Sequence, residues 1–355
     1  TNITPKNVCE ILRKNKISFY ESGIEHGTIT VKINDNKFEI TSLRKDVLTD
    51  GRHAEIEFSN NWHEDASRRD FTFNAIYADL YGNLYDPFDG KKDLEFGNVK
   101  FIGNPEKRIK EDYLRILRYV RFFLNYSKAD HSDNIKKIIK QNINGISKIS
   151  SDRLLDELKK LFLSKGFLKI SKDKFCQEVI TLIFPQLVNL DIFKNINDHS
   201  KKIIEEQDFI FFISLMIIDG TDNSEYFIYK YNISNENKKR IRFLSNIYSK
   251  SFDKNIFKEK NLWEIFYYNG RDYLIDLLNF EMCRNKKINK NLINLIKFFK
   301  EQDIPKFPIT AKILIEKFNY KEGKELGDKL KEIEEFWIGN SFKISDQELN
   351  KLIKN

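Results

Sequence analysis

Between Gly166 and Pro305 only Pro185, Gly220 and Gly270 represent the two residue types that most readily interrupt a helix. Leu, Ile, Phe and Lys recur through this stretch at three- and four-residue intervals, the period of a helix with one buried face. The same pattern reaches back to Pro105 and forward to the C-terminus, so everything beyond Pro105 is predicted to be helical, with Asn, Asp and Ser ending the helices. Ahead of Pro105 the pattern changes. Thr4-Pro5 before Val8, Ile11 and Leu12 predicts a short helix to about Asn15. From Gly27 to Ile33, Thr28, Thr30 and Lys32 alternate with Ile29, Val31 and Ile33; Asn34-Asp35-Asn36 then turns the chain into Phe38–Leu43. This is a β-hairpin whose return strand carries Glu39. Residues 45–63, broken at Thr49-Asp50-Gly51, read as a long polar loop. The expected fold class is α+β, a small mixed sheet followed by helices.

The 355 residues suffice for two or three domains. A net charge of +8 and a pI near 9 fit a polyanionic partner, and fit equally a Lys- and Asn-rich composition without one. Cys9, Cys176 and Cys283 are few, odd in number and far apart, which indicates neither a disulfide framework nor a Cys-based zinc site, and a reducing cytoplasm suits them. Phe209–Ile218 is the most apolar run and falls short of the roughly 18 residues of a membrane span.

Three blocks place basic residues beside carboxylates: Arg68-Arg69-Asp70 with Asn74; Asp86-Pro87-Phe88-Asp89-Gly90 through Asp93-Leu94, whose basic residues are Lys91 and Lys92; and Glu111-Asp112-Tyr113-Leu114-Arg115 with Arg118 and Arg121. Guanidinium forks suit phosphates and base edges, and carboxylates suit base amino groups and hydroxyls. Read as one helix from about Pro105 to Tyr126, the last block sets Ile116, Leu117, Val120 and Phe123 on one face and a ladder of arginines on the other. Alone, such a ladder also suits an amphipathic helix with solvated charges, and an isolated Arg-Arg-Asp also suits a salt bridge at a helix start.

In this order and spacing the blocks resemble the tRNA nucleotidyltransferase and poly(A) polymerase family, in its class II, bacterial-type CCA-adding branch. The resemblance implies a polymerase-β-like nucleotidyltransferase head over residues 1–105, a helical neck over 106–170 with base recognition, and a helical body and tail over 171–355 that binds tRNA. It implies that Asp112 and Arg115 read the Watson–Crick edge of CTP or ATP, that Arg118 and Arg121 meet phosphates, and that Arg68, Arg69, Asp70 and Asn74 recognise ribose and orient the nucleotide. The Asp86–Leu94 block is expected to be a structural turn into a short helix. Ser151–Leu158 resembles the family's neck segment, and Phe307-Pro308-Ile309-Thr310 with Gly327 and Trp337 its tail, with Ala311 where the pattern has Gly.

The family's Gly-Gly-x-x-Arg-Asp turn and Asp-x-Asp metal pair have no counterpart here. Thr1–Val8 resembles the T-x-x-T-P-x-x-V segment that follows that pair, so the expectation is a chain that starts just after its Mg2+ ligands and binds nucleotide without turnover. Glu39 is then the candidate third metal carboxylate and the one catalytic residue present. Poly(A), CC-only or A-only polymerisation is the alternative within the family, and a non-catalytic RNA-binding protein the alternative outside it; Glu25-His26-Gly27 and Thr49–Ala54 resemble the CCA branch. Asp130-His131 lacks the His-Asp order of metal-dependent phosphohydrolases, and none of that activity is expected.

Overall fold

The computed structural model describes residues 1–49, 54–249 and 254–354; the Asp50-Gly51-Arg52-His53 portion of the segments singled out above lies outside the described residues. The chain divides into two compact units, Thr1–Lys194 with Ile228–Asn232, and Asn195–Phe227 with Ile233–Asn355.

In the first unit α1 (Pro5–Lys14) opens on Pro5, whose missing N–H costs nothing at a helix start. It buries Val8, Cys9 and Leu12 against Ile29 and Val31. These two belong to the centre of an antiparallel sheet of β1 (Ser18–Gly23), β2 (Thr28–Ile33) and β3 (Asn36–Thr41). β1 is an addition to the predicted hairpin; only Phe19 and Gly23 of it are even half-buried, so it lacks the alternation that marks a strand. Ile29 pairs with Ile40 and Thr30 with Glu39, which puts Glu39 on the exposed face, away from α1. Thr1 is tied to the end of β3: its amino group donates to the Thr41 carbonyl at 2.9 Å and its carbonyl accepts from the Leu43 N–H at 2.7 Å.

The expected loop over residues 45–63 is instead largely a second hairpin, β4 (Arg44–Thr49) with β5 (Ala54–Phe58), followed by α2 (Trp62–Ser67). Its strands are paired by an antiparallel backbone ladder, with Lys45 and Glu57 facing each other across it at 2.9 Å; the break at Thr49-Asp50-Gly51 conceals the alternation of Ala54, Ile56 and Phe58 with Glu55 and Glu57. A third hairpin, β6 (Tyr77–Ala78) with β7 (Leu84–Tyr85), leads into α3 (Gly90–Phe96). Asp86 accepts from the Gly90 and Lys91 N–H groups at 2.8 Å each, the structural turn expected of that block. A Cβ on Gly90 would stand 2.3 Å from the Thr72 carbonyl oxygen, so only glycine lets this turn close on the Arg-Arg-Asp segment.

The single helix expected from Pro105 to Tyr126 is two: α4 (Pro105–Glu111) and α5 (Leu114–Tyr126). Asp112 between them is extended, at φ −152° and ψ 104°, and its Oδ1 accepts from the Leu114 N–H at 3.1 Å. A short carboxylate that can cap a new helix competes with continuing the old one, and the periodic apolar pattern conceals the break. α6 (Asp133–Asn142), α7 (Ser151–Phe162) and α8 (Lys174–Ile183) complete the unit's main helices.

The second unit is helical throughout its named elements, from Asp198–Glu206 to Asp346–Lys354. Every residue of the helix Phe209–Ile217 is buried, as a helix apolar on all sides requires. Among the described residues no helix is long and apolar enough to cross a membrane.

Phe71 is fully buried, with its ring 4.6 Å from Phe101, 5.2 Å from Phe122 and 5.7 Å from Phe73. Phe71→Ala is therefore expected to cost about 3–5 kcal/mol. Phe96→Ala, at a ring 63% exposed, should stay within about 0.5 kcal/mol. Denaturant unfolding of both variants measures the contrast.

Candidate functional site

The site is built outward from a carboxylate that sequence reading passed over. Asp65 on α2 is 1% exposed. Its Oδ1 accepts from Arg68 Nε at 2.9 Å, and its Oδ2 from Arg69 Nη2 at 3.2 Å and the Tyr77 hydroxyl at 2.7 Å. Burial pushes the Asp65 carboxyl up, but the Tyr77 hydroxyl and the two guanidiniums outweigh it and hold the group below its ordinary range. Burial and the bond to Asp65 push the Tyr77 phenol up to about 12. Arg69 also donates through Nη1 to the Asn74 carbonyl at 3.1 Å and lies over the Tyr77 ring. The D-x-x-R-R spacing, three and four residues apart on one helix face, was the signal available for Asp65.

Asp70 points the other way. Its Oδ1 accepts from the Phe71 N–H and from Asn74 Nδ2, both at 2.9 Å, and its Oδ2 from Arg118 Nε at 2.5 Å. The backbone around it is fixed by a bridge to Phe101, in which the Asp70 carbonyl accepts from the Ile102 N–H at 3.0 Å. Burial opposes ionisation of Asp70, and Arg118 with the three donated hydrogen bonds more than offsets it, leaving the carboxyl below its ordinary value of 3.8.

The elbow between α4 and α5 grips the same segment from above. Arg108 donates to the Arg69 carbonyl and to Glu111. Arg115 donates through Nη1 to Glu111 at 2.8 Å and to the Arg108 carbonyl at 2.7 Å, and through Nη2 to the Arg68 carbonyl at 3.4 Å. Beyond Arg118, Arg121 donates to Glu157 of α7, whose carboxylate also lies 3.8 Å from Arg118 Nη1. Asp112 keeps Oδ1 for its capping bond and accepts from Arg153 Nη2 at 2.8 Å on Oδ2.

Thus the arginine ladder is not a solvated face but a set of paired, largely covered arginines: the Arg115, Arg118 and Arg121 side chains are 12%, 29% and 16% exposed. Arg68, Arg69, Asp70, Asn74, Arg115 and Arg118 are joined by direct contacts; Arg121 joins through Glu157, and Asp112 through the elbow. Glu39 is not brought in. Among the described residues no ion pair or hydrogen bond ties it to this cluster, and the one group of three potential metal ligands found there does not contain it. A two-metal site needs several carboxylates on shared ions, so Glu39 by itself does not fit one. Asp65, Arg108, Arg153 and Glu157 are the members that sequence reading left without a role.

Residues 1–100 match the family described as "Poly A polymerase head domain", and residues 132–196 the one described as "Probable RNA and SrmB- binding site of polymerase A". The human mitochondrial CCA tRNA nucleotidyltransferase 1 is 30% identical over 385 residues that take in 100% of this chain and 81% of that protein. The chain belongs to the CCA-adding branch of the poly(A) polymerase family. A Streptococcus uberis CCA-adding enzyme is 28% identical over 88% of this chain and 77% of its own length. The crystal structure of the Bacillus stearothermophilus CCA-adding enzyme with CTP shares the fold at a TM-score of 0.67 and 18% identity, covering 96% of this chain and 83% of that one. The Thermotoga maritima CCA-adding enzyme complexed with tRNA shares it at 0.57 and 16%, covering 99% and 84%.

Because Asp70 ionises more readily folded than unfolded, its contribution is fully present above the unfolded value near 3.8 and is lost as pH falls through the lower folded value. Asp70→Asn should lower stability at neutral pH by about 1–3 kcal/mol and flatten the decline of stability below pH of about 4. Unfolding midpoints of both proteins across an acid series measure the slope.

Proposed function

We propose that this member of the family adds C, C and A to the 3′ end of tRNA from CTP and ATP without a nucleic-acid template. The observation that carries this reading is the meeting of two separate motifs, with Arg115 on the Arg68 carbonyl and Arg118 on Asp70. A base reader and a ribose- and phosphate-handling segment then stand on one rigid frame, as selection by protein side chains alone requires.

In this reading Asp112 and Arg115 pair with the edge of the incoming cytosine or adenine, Asp70 and Asn74 address the ribose, Arg68 and Arg69 orient the nucleotide, and Arg118 and Arg121 take phosphate oxygens. A guanidinium has five N–H donors, so Arg118 can keep Asp70 on Nε while its outer nitrogens turn to a ligand. Residues 1–105 serve as the head, 106–170 as the neck, and 171–355 as a basic body holding tRNA by its backbone. Mg2+ supplies charge neutralisation for the pyrophosphate leaving group in this chemistry. Glu39 alone does not make a site for that ion, and no step is routed through it. The buried, free cysteines suit the cytoplasm, where we place the chain.

Asp112→Asn preserves an oxygen to cap α5 but replaces one acceptor with a donor, inverting part of the base-reading edge. In a chimera joining residues 1–355 to a relative's Asp-x-Asp segment, it should cut incorporation of labelled CTP and ATP into tRNA lacking CCA at least tenfold, with tRNA affinity near normal. Equal incorporation by the two proteins would remove Asp112 from this role, and a long A tract from the parent would point to poly(A) synthesis instead.

Affinity for tRNA should fall steeply and linearly on a log–log plot against salt, with a slope set by the phosphates neutralised. A flat dependence in a fluorescence titration would make the +8 charge compositional only.

A further inference from the structure

Beside Tyr119 and Phe123 of α5 lies a cluster that the proposed function does not use. His131, in the connection between α5 and α6, is 9% exposed, with its ring stacked on Phe123 at 3.5 Å and edge-on to Phe175 at 4.7 Å. Its Nε2 faces Asp173 Oδ2 at 3.0 Å and Cys176 Sγ at 3.6 Å. All three donor atoms lie within 4.8 Å of one another. Cys176 is fully buried, and the Asp173 side chain, 21% exposed, leaves one side open to water.

We propose that His131 Nε2, Asp173 Oδ2 and Cys176 Sγ form a binding site for a borderline-soft divalent metal ion, zinc foremost, with water as the fourth ligand.

Three features carry this. Bonds of about 2.0–2.3 Å at tetrahedral angles set neighbouring donors about 3.3–3.6 Å apart, so the 3.0 and 3.6 Å separations need to change by only a few tenths of an ångström. One thiolate, one imidazole and one carboxylate form a donor set that zinc accepts and that Mg2+ and Ca2+ do not seek. The remaining ring nitrogen is already committed: His131 Nδ1 meets the Tyr119 hydroxyl of α5 at 2.9 Å, the kind of outer partner that fixes a ligating imidazole. Asp173 is likewise held, its Oδ1 accepting from the Cys176 N–H at 2.9 Å at the start of α8, which leaves Oδ2 for the ion. On binding, the thiol proton leaves to solvent and the sulfur–metal bond forms, with no change in oxidation state. The ion would staple the α5–α6 connection to α8 and, through Tyr119, brace the middle of α5. Cysteine spacing indicates no Cys-based zinc site, and a mixed set with a single cysteine lies outside that criterion.

The test uses tag-free, chelator-stripped protein titrated with Zn2+ against a chromophoric competitor, and with Co2+ by absorption spectroscopy. The expected result is one ion per chain, a sulfur-to-cobalt charge-transfer band, and a rise in unfolding temperature with Zn2+. Cys176→Ser should abolish the band and weaken Zn2+ at least tenfold, Tyr119→Phe should weaken it about tenfold, and Cys283→Ser should change neither. Should Cys176→Ser fail to fold by circular dichroism, His131→Gln decides with the same readouts. Absence of stoichiometric binding at micromolar Zn2+, cobalt bound without the thiolate band, or a band surviving in Cys176→Ser or His131→Gln would overturn the proposal.

Discussion

The charge pair between Asp70 and Arg118 is the one direct ion pair from the Arg-Arg-Asp segment to α5 among the described residues, and the backbone bonds from Arg108 and Arg115 reinforce it. Asp70 belongs to the segment between α2 and the hairpin β6–β7, and Arg118 to the middle of α5, 48 residues on. A carboxylate this covered is tolerable only with its acceptors filled, and the Phe71 N–H, Asn74 and Arg118 fill them. The aromatic layer beneath supplies the rest. Phe71 and Phe73 lie against Phe122 on the same helix, and Arg118 and Arg121 pass over the Phe122 ring, so apolar packing and ion pairing align the same two elements.

The elbow at Asp112 adds a second constraint. Across the break, Arg108 of α4 and Arg115 of α5 both reach the backbone of Arg68 and Arg69. The capping bond to Leu114 and the bond from Arg153 hold Asp112 in place, a rigid setting for a group proposed to read a base by its edge.

Much of this was legible in the residues. The helix from Pro5, the strands around Ile29 and Glu39, and the helical regime beyond Pro105 follow from periods that a sequence displays. β1 was hidden because it lacks apolar alternation, and the hairpin β4–β5 because the turn residues Thr49-Asp50-Gly51 mark a break while the alternation at Ala54–Phe58 is short. The break at Asp112 was hidden because the apolar period runs through it. Within the site the residue types were legible and their partners were not: Glu157 stands 36 residues from Arg121, and Arg153 41 from Asp112. Such pairings depend on how helices cross, which no local pattern encodes. Glu39 shows the converse, a residue whose type suits a metal while the described residues around it supply no companion ligand.

The arginine cluster also sets an electrostatic account. Arg68, Arg69, Arg108, Arg115, Arg118, Arg121 and Arg153 face Asp65, Asp70, Glu111, Asp112 and Glu157, seven cations against five anions. The surplus is small, so the cluster is nearly self-neutralised. A triphosphate would bring more negative charge than this surplus can absorb, so its counter-charge has to travel with it.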